Sequence, residues 1–216
     1  VFVPESAGHL IGRLKFSSGI APEASRFYPD EQELLASTDE RFRPVNARVG
    51  PDGALYLADF YHGIIEHVIF MVPWLTKQIQ ERHLDEGNDR GRIWRIVAEN
   101  RPLDRSAPKL ANASSTELVK LLAHPNGWHR LTAQRLLVER RDSSVAPALR
   151  EMARGKQGEG ASRPVERRGE DAPTPCAALH ALWTLDGIGV LDLDTRVAAM
   201  QSADERVRAA AIRLCE

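Results

Sequence analysis

Cysteine, net charge and long apolar runs are all scarce in this sequence, and each scarcity removes a class of function. Only Cys176 and Cys215 occur, 39 residues apart, which excludes a disulfide framework, a Cys-x-x-Cys metal clasp and a Cys-x-x-Cys-His haem attachment within these residues. Lys and Arg total 29 against 30 acidic residues, a formal charge of -1, so no overall field would hold the chain on nucleic acid or on an anionic membrane. The longest apolar run lies near Val68–Val72, far short of the roughly 18 residues a membrane span needs. No Gly-x-Ser-x-Gly elbow and no phosphate-cradling glycine loop is present, which leaves Ser-His-Asp hydrolysis and nucleotide binding without local support.

The remaining composition, 43% hydrophobic and 27% charged, is that of an ordinary folded chain. Val1-Phe2-Val3-Pro4-Glu5 and Leu55-Tyr56-Leu57-Ala58-Asp59 share an apolar, aromatic, apolar, small, acidic order at a spacing of 54 residues. The pairs Leu10-Ile11 and Ile64-Ile65 repeat the same spacing. A period a little above propeller-blade length predicts four-stranded blades with insertions. In the second copy, Pro44 to Val49 predicts a strand, Pro51-Asp52-Gly53 its turn, Ala54 to Asp59 the returning strand and Ile64 to Ile69 a third. Trp74, Leu75, Gln78, Ile79 and Arg82 follow helical spacing, and Gly91 to Val97 alternates like a closing strand. Residues 1–99 thus predict the C-terminal, incomplete part of a β-propeller.

Asn100 to Pro108, with two prolines, predicts a linker. Residues 109–216 turn helical, with Ser115 or Thr116 as the expected cap of a helix presenting Leu118, Val119, Leu121 and Leu122. The order Arg-x-x-Ala-x-Arg-Leu occurs at Arg130 and again at Arg208, 78 residues on, with a looser middle copy at Leu179–Leu185. The average step of about 39 residues predicts a HEAT-like α-helical solenoid. Gly155 to Pro175, rich in Gly, Pro, Arg and Glu, predicts a flexible insertion in it. The fold class expected is therefore β then α, propeller blades followed by a solenoid. A start inside an apolar β-type run and an end at Cys215-Glu216 are expected of a piece of a longer protein.

The ordered set Ala36-Ser37-Thr38-Asp39-Glu40-Arg41-Phe42-Arg43-Pro44-Val45, Gly50-Pro51-Asp52-Gly53-Ala54-Leu55-Tyr56 and Asp59-Phe60-Tyr61-His62-Gly63-Ile64-Ile65-Glu66-His67 carries a resemblance. So do Gly91-Arg92-Ile93-Trp94-Arg95-Ile96, His124-Pro125-Asn126-Gly127-Trp128 and Leu179-His180-Ala181-Leu182-Trp183-Thr184-Leu185. Together they resemble a bacterial family of membrane-bound dehydrogenases of planctomycete type: a propeller similar to quinoprotein sugar dehydrogenases, then HEAT repeats, often then a cytochrome c domain. The pattern is specific for architecture and carries no substrate. His62 stands where the family more often has Arg, and His129 where an apolar residue is usual.

The resemblance implies an exported, periplasmic oxidoreductase acting on a sugar or related alcohol. Its cofactors would be pyrroloquinoline quinone (PQQ) and calcium, with haem only where a cytochrome c domain follows. A piece with at most two of the roughly six blades a channel needs would itself be inactive. Antiparallel strand order puts Ser37 to Arg43 beside Asp59 to Gly63 on one rim, with Asp39, Arg43, Asp59, Tyr61 and His62 concentrated there. In that reading His62 and Asp59 are the candidate catalytic pair, accepting the alcohol proton, and Arg43 and Tyr61 the candidate cofactor contacts. Against it stands a structural reading in which Asp59 bonds its own turn and Arg43 ties neighbouring segments. Glu66 and His67, on opposite faces of an expected strand, cannot share a metal, and no metal site is predicted. The four tryptophans read as core or inter-element anchors, and the repeated arginines as ties between turns. The competing functional class is a non-catalytic module that holds a carbohydrate or protein on the rim and docks a protein partner on the helices.

Overall fold

The structure is a computed structural model that describes residues 1–17, 21–30, 32–100, 103–106, 108–155 and 177–215. It divides into two compact units, Val1–Asp104 and Arg105–Glu216. The Gly- and Pro-rich stretch expected as an insertion lies, after Gly155, outside the described residues.

In the first unit the Pro51-Asp52-Gly53 turn forms as its residues dictate. Gly53 sits at φ +83° and donates its N–H to the Gly50 carbonyl at 3.1 Å, while Asp52 Oδ1 accepts from the Ala54 N–H at 3.0 Å. This turn joins β5 (Pro44–Val49) to β6 (Leu55–Asp59), and β7 (Arg92–Ile96) adds to the other side of β6, so that one three-stranded antiparallel sheet runs β5-β6-β7. A second antiparallel sheet contains β1 (Phe2–Glu5), β2 (Leu10–Phe16), β3 (Ala24–Arg26) and the short β4 (Leu35–Ala36), with β2 paired to all three others. Ile11 of β2 packs with Leu55 and Leu57 of β6, flanked by Phe2, Leu35, Ala47 and Ile96. The strand alternation explains this: Leu55, Leu57 and Asp59 share one face of β6, and all three are buried.

The structure departs from the sequence expectations at three points. Ile64 to Ile69 is not a strand. It follows Gly63, whose carbonyl accepts from Arg43 Nη2, and Val68–Phe70 forms a 3-10 turn capped by the His67 ring. The 54-residue period therefore ends after one strand, and β6 pairs with β7 where β1 pairs with β2. Trp74 is not a core anchor but is exposed on α1 (Pro73–Glu81), whose buried residue is Ile79. The fold class changes as well. The described residues form a small α/β arrangement of two small antiparallel sheets and helices, and they close neither a propeller nor a solenoid.

In the second unit α2 (Ser115–Leu121), α3 (Gly127–Arg140), α4 (Ala146–Ala153), α5 (Ala177–Ile188), α6 (Leu193–Met200) and α7 (Glu205–Arg213) converge on one continuous apolar cluster. Leu118, Leu122, Leu137, Leu149, Leu182 and Leu185 are wholly buried there. α2 is capped not by Ser115 or Thr116, the two residues expected, but by Ser114, in a reciprocal capping box with Glu117. Two of the recurring arginines, Arg130 and Arg208, bond the carbonyls just before their own helices, whereas Arg135 pairs with Glu139 on its own helix. Arg130 donates to the carbonyls of His124 and Pro125 at 2.7 and 2.9 Å, and Arg208 to those of Ser202 and Ala203 at 2.7 and 3.0 Å. Each locks the turn before its own helix.

Replacing Leu137 by Ala is expected to cost about 2–5 kcal/mol, against under ~0.5 kcal/mol for exposed Leu131→Ala, in urea unfolding followed by circular dichroism. Asp192 and Asp204 cap α6 and α7. Hydrogen bonds, chiefly from the Thr195 N–H and the Arg206 guanidinium respectively, hold both carboxyls down at about 2 against an ordinary 3.8. Their stabilisation is thus complete above the ordinary value and is lost as pH falls through about 2. The double variant Asp192→Asn, Asp204→Asn should flatten the acid limb of stability below pH ~4.

Candidate functional site

Asp59 ends β6 with its carboxylate pointing inward, and the residue is only 3% exposed. A buried carboxylate must find donors, and this one finds them on both oxygens. Oδ1 accepts from the backbone N–H groups of Arg43 at 2.9 Å and Tyr61 at 3.0 Å, and Oδ2 from the indole N–H of Trp94 at 3.0 Å. Arg92 Nε stands 3.4 Å from Oδ2 as an ion pair without hydrogen-bond geometry. The bond to Tyr61, two residues on, is an Asx turn that holds Tyr61 at φ +52° in the left-handed region.

Arg43 is committed in the same way. Its Nε donates to the His62 carbonyl at 2.9 Å, Nη1 to the Ser6 carbonyl at 2.8 Å and Nη2 to the Gly63 carbonyl at 2.7 Å. His9, itself at φ +54°, bonds the Phe42 carbonyl through Nδ1 at 2.9 Å and turns Nε2 toward Arg43 Nη1 at 3.5 Å. Burial lowers the Arg43 pKa, opposed by the nearby charge of Glu40. Gly63 is required where it lies, because a Cβ there would come within 2.4 Å of the Leu84 carbonyl oxygen. The loop after β6 is therefore pinned at Gly63 from two sides.

The outer part of the cluster is more open. Arg92 lies over the Tyr61 ring, 3.6 Å from its centroid, and reaches Asp39 Oδ2 at 3.4 Å. Partial burial works against the Asp39 charge, but the Arg41 N–H at 3.0 Å, Arg92 and the Tyr61 hydroxyl outweigh it and lower the pKa. His62 stacks on Phe60 at 3.7 Å between centroids, its Nδ1 directed at the Phe60 carbonyl at 2.9 Å.

Arg43, Asp59, Tyr61, His62 and Asp39 are thus neighbours. The candidate catalytic pair does not meet through its side chains: Asp59 faces inward, whereas the His62 ring is stacked on Phe60. Sequence reasoning missed Arg92 and Trp94 as members. The signal was available in the alternation of β7, which places Arg92 opposite Asp59 and Trp94 opposite Leu57 in the ladder. Trp94 is half-exposed and serves as a donor to a buried charge, not as a core anchor.

This donor set does not fit calcium, which needs six to eight oxygens turned toward it. Both Asp59 oxygens face N–H groups, and the described residues contain no group of three or more His, Cys, Asp or Glu able to hold a metal. Arg43 fits a quinone carboxylate no better, since its fork is spent on three carbonyls. No helix among the described residues is long and apolar enough to cross a membrane.

Asp59→Asn would turn an amide N–H₂ toward the Trp94 N–H and Arg92. It is expected to destabilise the first unit by roughly 2–4 kcal/mol, while Asp39→Asn costs under ~1 kcal/mol, in urea titrations read by tryptophan fluorescence. Equal effects would mean that Asp59 is not the organising charge.

Residues 1–100 match the family model described as a domain of unknown function (DUF7133). No curated protein and no solved structure matches the chain.

Proposed function

We propose that the first unit is a non-catalytic recognition module that docks a protein partner through the segment Ile65 to Trp74. One observation carries this reading: Ile65, Val68, Ile69, Phe70, Val72 and Trp74 are all exposed, Val68 and Ile69 to 75% and 74%. Scattered surface apolar residues need no explanation, but an exposed apolar run such as Val68 to Trp74 marks an interaction site. Burying each side chain fully contributes about 1.5–3 kcal/mol, and Trp and Phe are the side chains most able to anchor a partner pocket.

The polar cluster gives the segment its support. Arg43 fixes the carbonyls of His62 and Gly63, Gly63 abuts Leu84 just beyond α1, and Pro73 starts α1 at the segment's other end. A loop held at both ends loses less entropy on binding than a free one. The competing reading, an exported quinone-dependent sugar or alcohol dehydrogenase, would draw on the same cluster. The commitment of Asp59 and Arg43 to internal partners weighs against it.

The test is a benzoylphenylalanine photo-crosslinker at position 70, followed by purification of the captured protein and titration against this chain. Phe70→Ser with Trp74→Ser should weaken that complex at least ~30-fold and Asp39→Asn less than ~3-fold. Absence of a saturable complex, or equal weakening by both, would overturn the reading.

A further inference from the structure

Among the described residues, β7 is paired on one side only. The hairpin bond from the Gly50 N–H to the Ala54 carbonyl, and that from Phe60 to Arg43, turn the even-numbered groups of β6 toward β5. Leu55, Leu57 and Asp59 therefore bond β7 through their partners Ile96, Trp94 and Arg92. The N–H and C=O of Ile93 and Arg95 point the other way, along an edge with no strand against it among the described residues.

Free edges are normally guarded by proline, by lysine or by unpaired charge. This one carries neither proline nor lysine. Its arginines are occupied, Arg95 by Asp52 and Arg92 by Asp39 and Asp59. At its centre Ile93 is 76% exposed and Trp94 43%.

The strand Arg92-Ile93-Trp94-Arg95-Ile96 is also self-complementary when reversed. Laid antiparallel on itself about Trp94, it sets Arg92 opposite Ile96, Ile93 opposite Arg95 and Trp94 opposite Trp94. No like charges face each other directly, and full overlap is kept. Ile93 and Arg95, whose main-chain groups face outward, become the hydrogen-bonded pairs, and the tryptophans the closer non-hydrogen-bonded pair. We infer that a second copy of this chain pairs with β7 in this register, joining two sheets into one across a two-fold axis. A contact of this size gives a weak, concentration-dependent dimer.

Sedimentation velocity of the 216-residue protein from ~1 to ~300 μM should show monomer passing to dimer, a weak association of the micromolar to millimolar class. Ile93→Lys sets a cation opposite Arg95 of the second copy and should raise the dissociation constant at least tenfold, whereas Ile93→Val leaves it within about twofold. Amide hydrogen exchange keeps the idea testable should the lysine variant fold poorly. In the unaltered protein the Ile93 and Arg95 amides should slow as concentration rises, while those of Arg92 and Trp94 stay protected throughout. A monomer at every concentration would overturn the inference. So would a dimer indifferent to Ile93→Lys, or one dissolved by Phe70→Ser with Ile93 and Arg95 exchange unchanged.

Discussion

A single buried carboxylate organises the first unit. Asp59 is drawn inward because its place in the alternation of β6 is that of Leu55 and Leu57, and a charge so placed must be met by donors. Three segments supply them: the start of β5, the turn after β6 and the middle of β7. The same demand sets the left-handed Tyr61, brings Trp94 toward the core edge and leaves Arg43 free to clasp the carbonyls that follow. Local turn chemistry, sheet pairing and loop placement thus share one electrostatic cause.

Much of this was legible in the sequence where short-range rules decide. The Pro51-Asp52-Gly53 hairpin, the strands around it, α1 and the helices at Leu118, Ala133 and Arg208 follow from turn residues, caps and periodicity. The Arg43, Asp59 and Tyr61 neighbourhood was legible too, because antiparallel order places the ends of β5 and β6 together. What failed was long-range. The apolar pattern of Ile64 to Ile69 reads as a strand, but strand formation needs a partner edge, and the clasp at Gly63 with the His67 cap takes the backbone elsewhere. A 54-residue period that breaks after one strand could not carry the propeller expectation. In the second unit, likewise, a recurring arginine that locks its own turn reports local helix starts and not a solenoid.

The two readings weighed for Asp59 and Arg43 differ in where their hydrogen bonds go. A catalytic carboxylate must keep a lone pair toward the reacting proton, and a cofactor-binding guanidinium must keep its fork open. Here both groups spend that capacity on the protein itself. What lies beyond the cluster is an apolar segment held at its base, and the proposed recognition role rests on that segment.

The most direct test of this account is calorimetric titration of the folded chain with PQQ and calcium, together and separately. If Asp59 and Arg43 are architectural, neither ligand binds and the thermal midpoint does not move. Tight quinone binding by the unaltered chain, lost in Arg43→Ala with folding intact, would contradict it and return the cluster to the dehydrogenase reading.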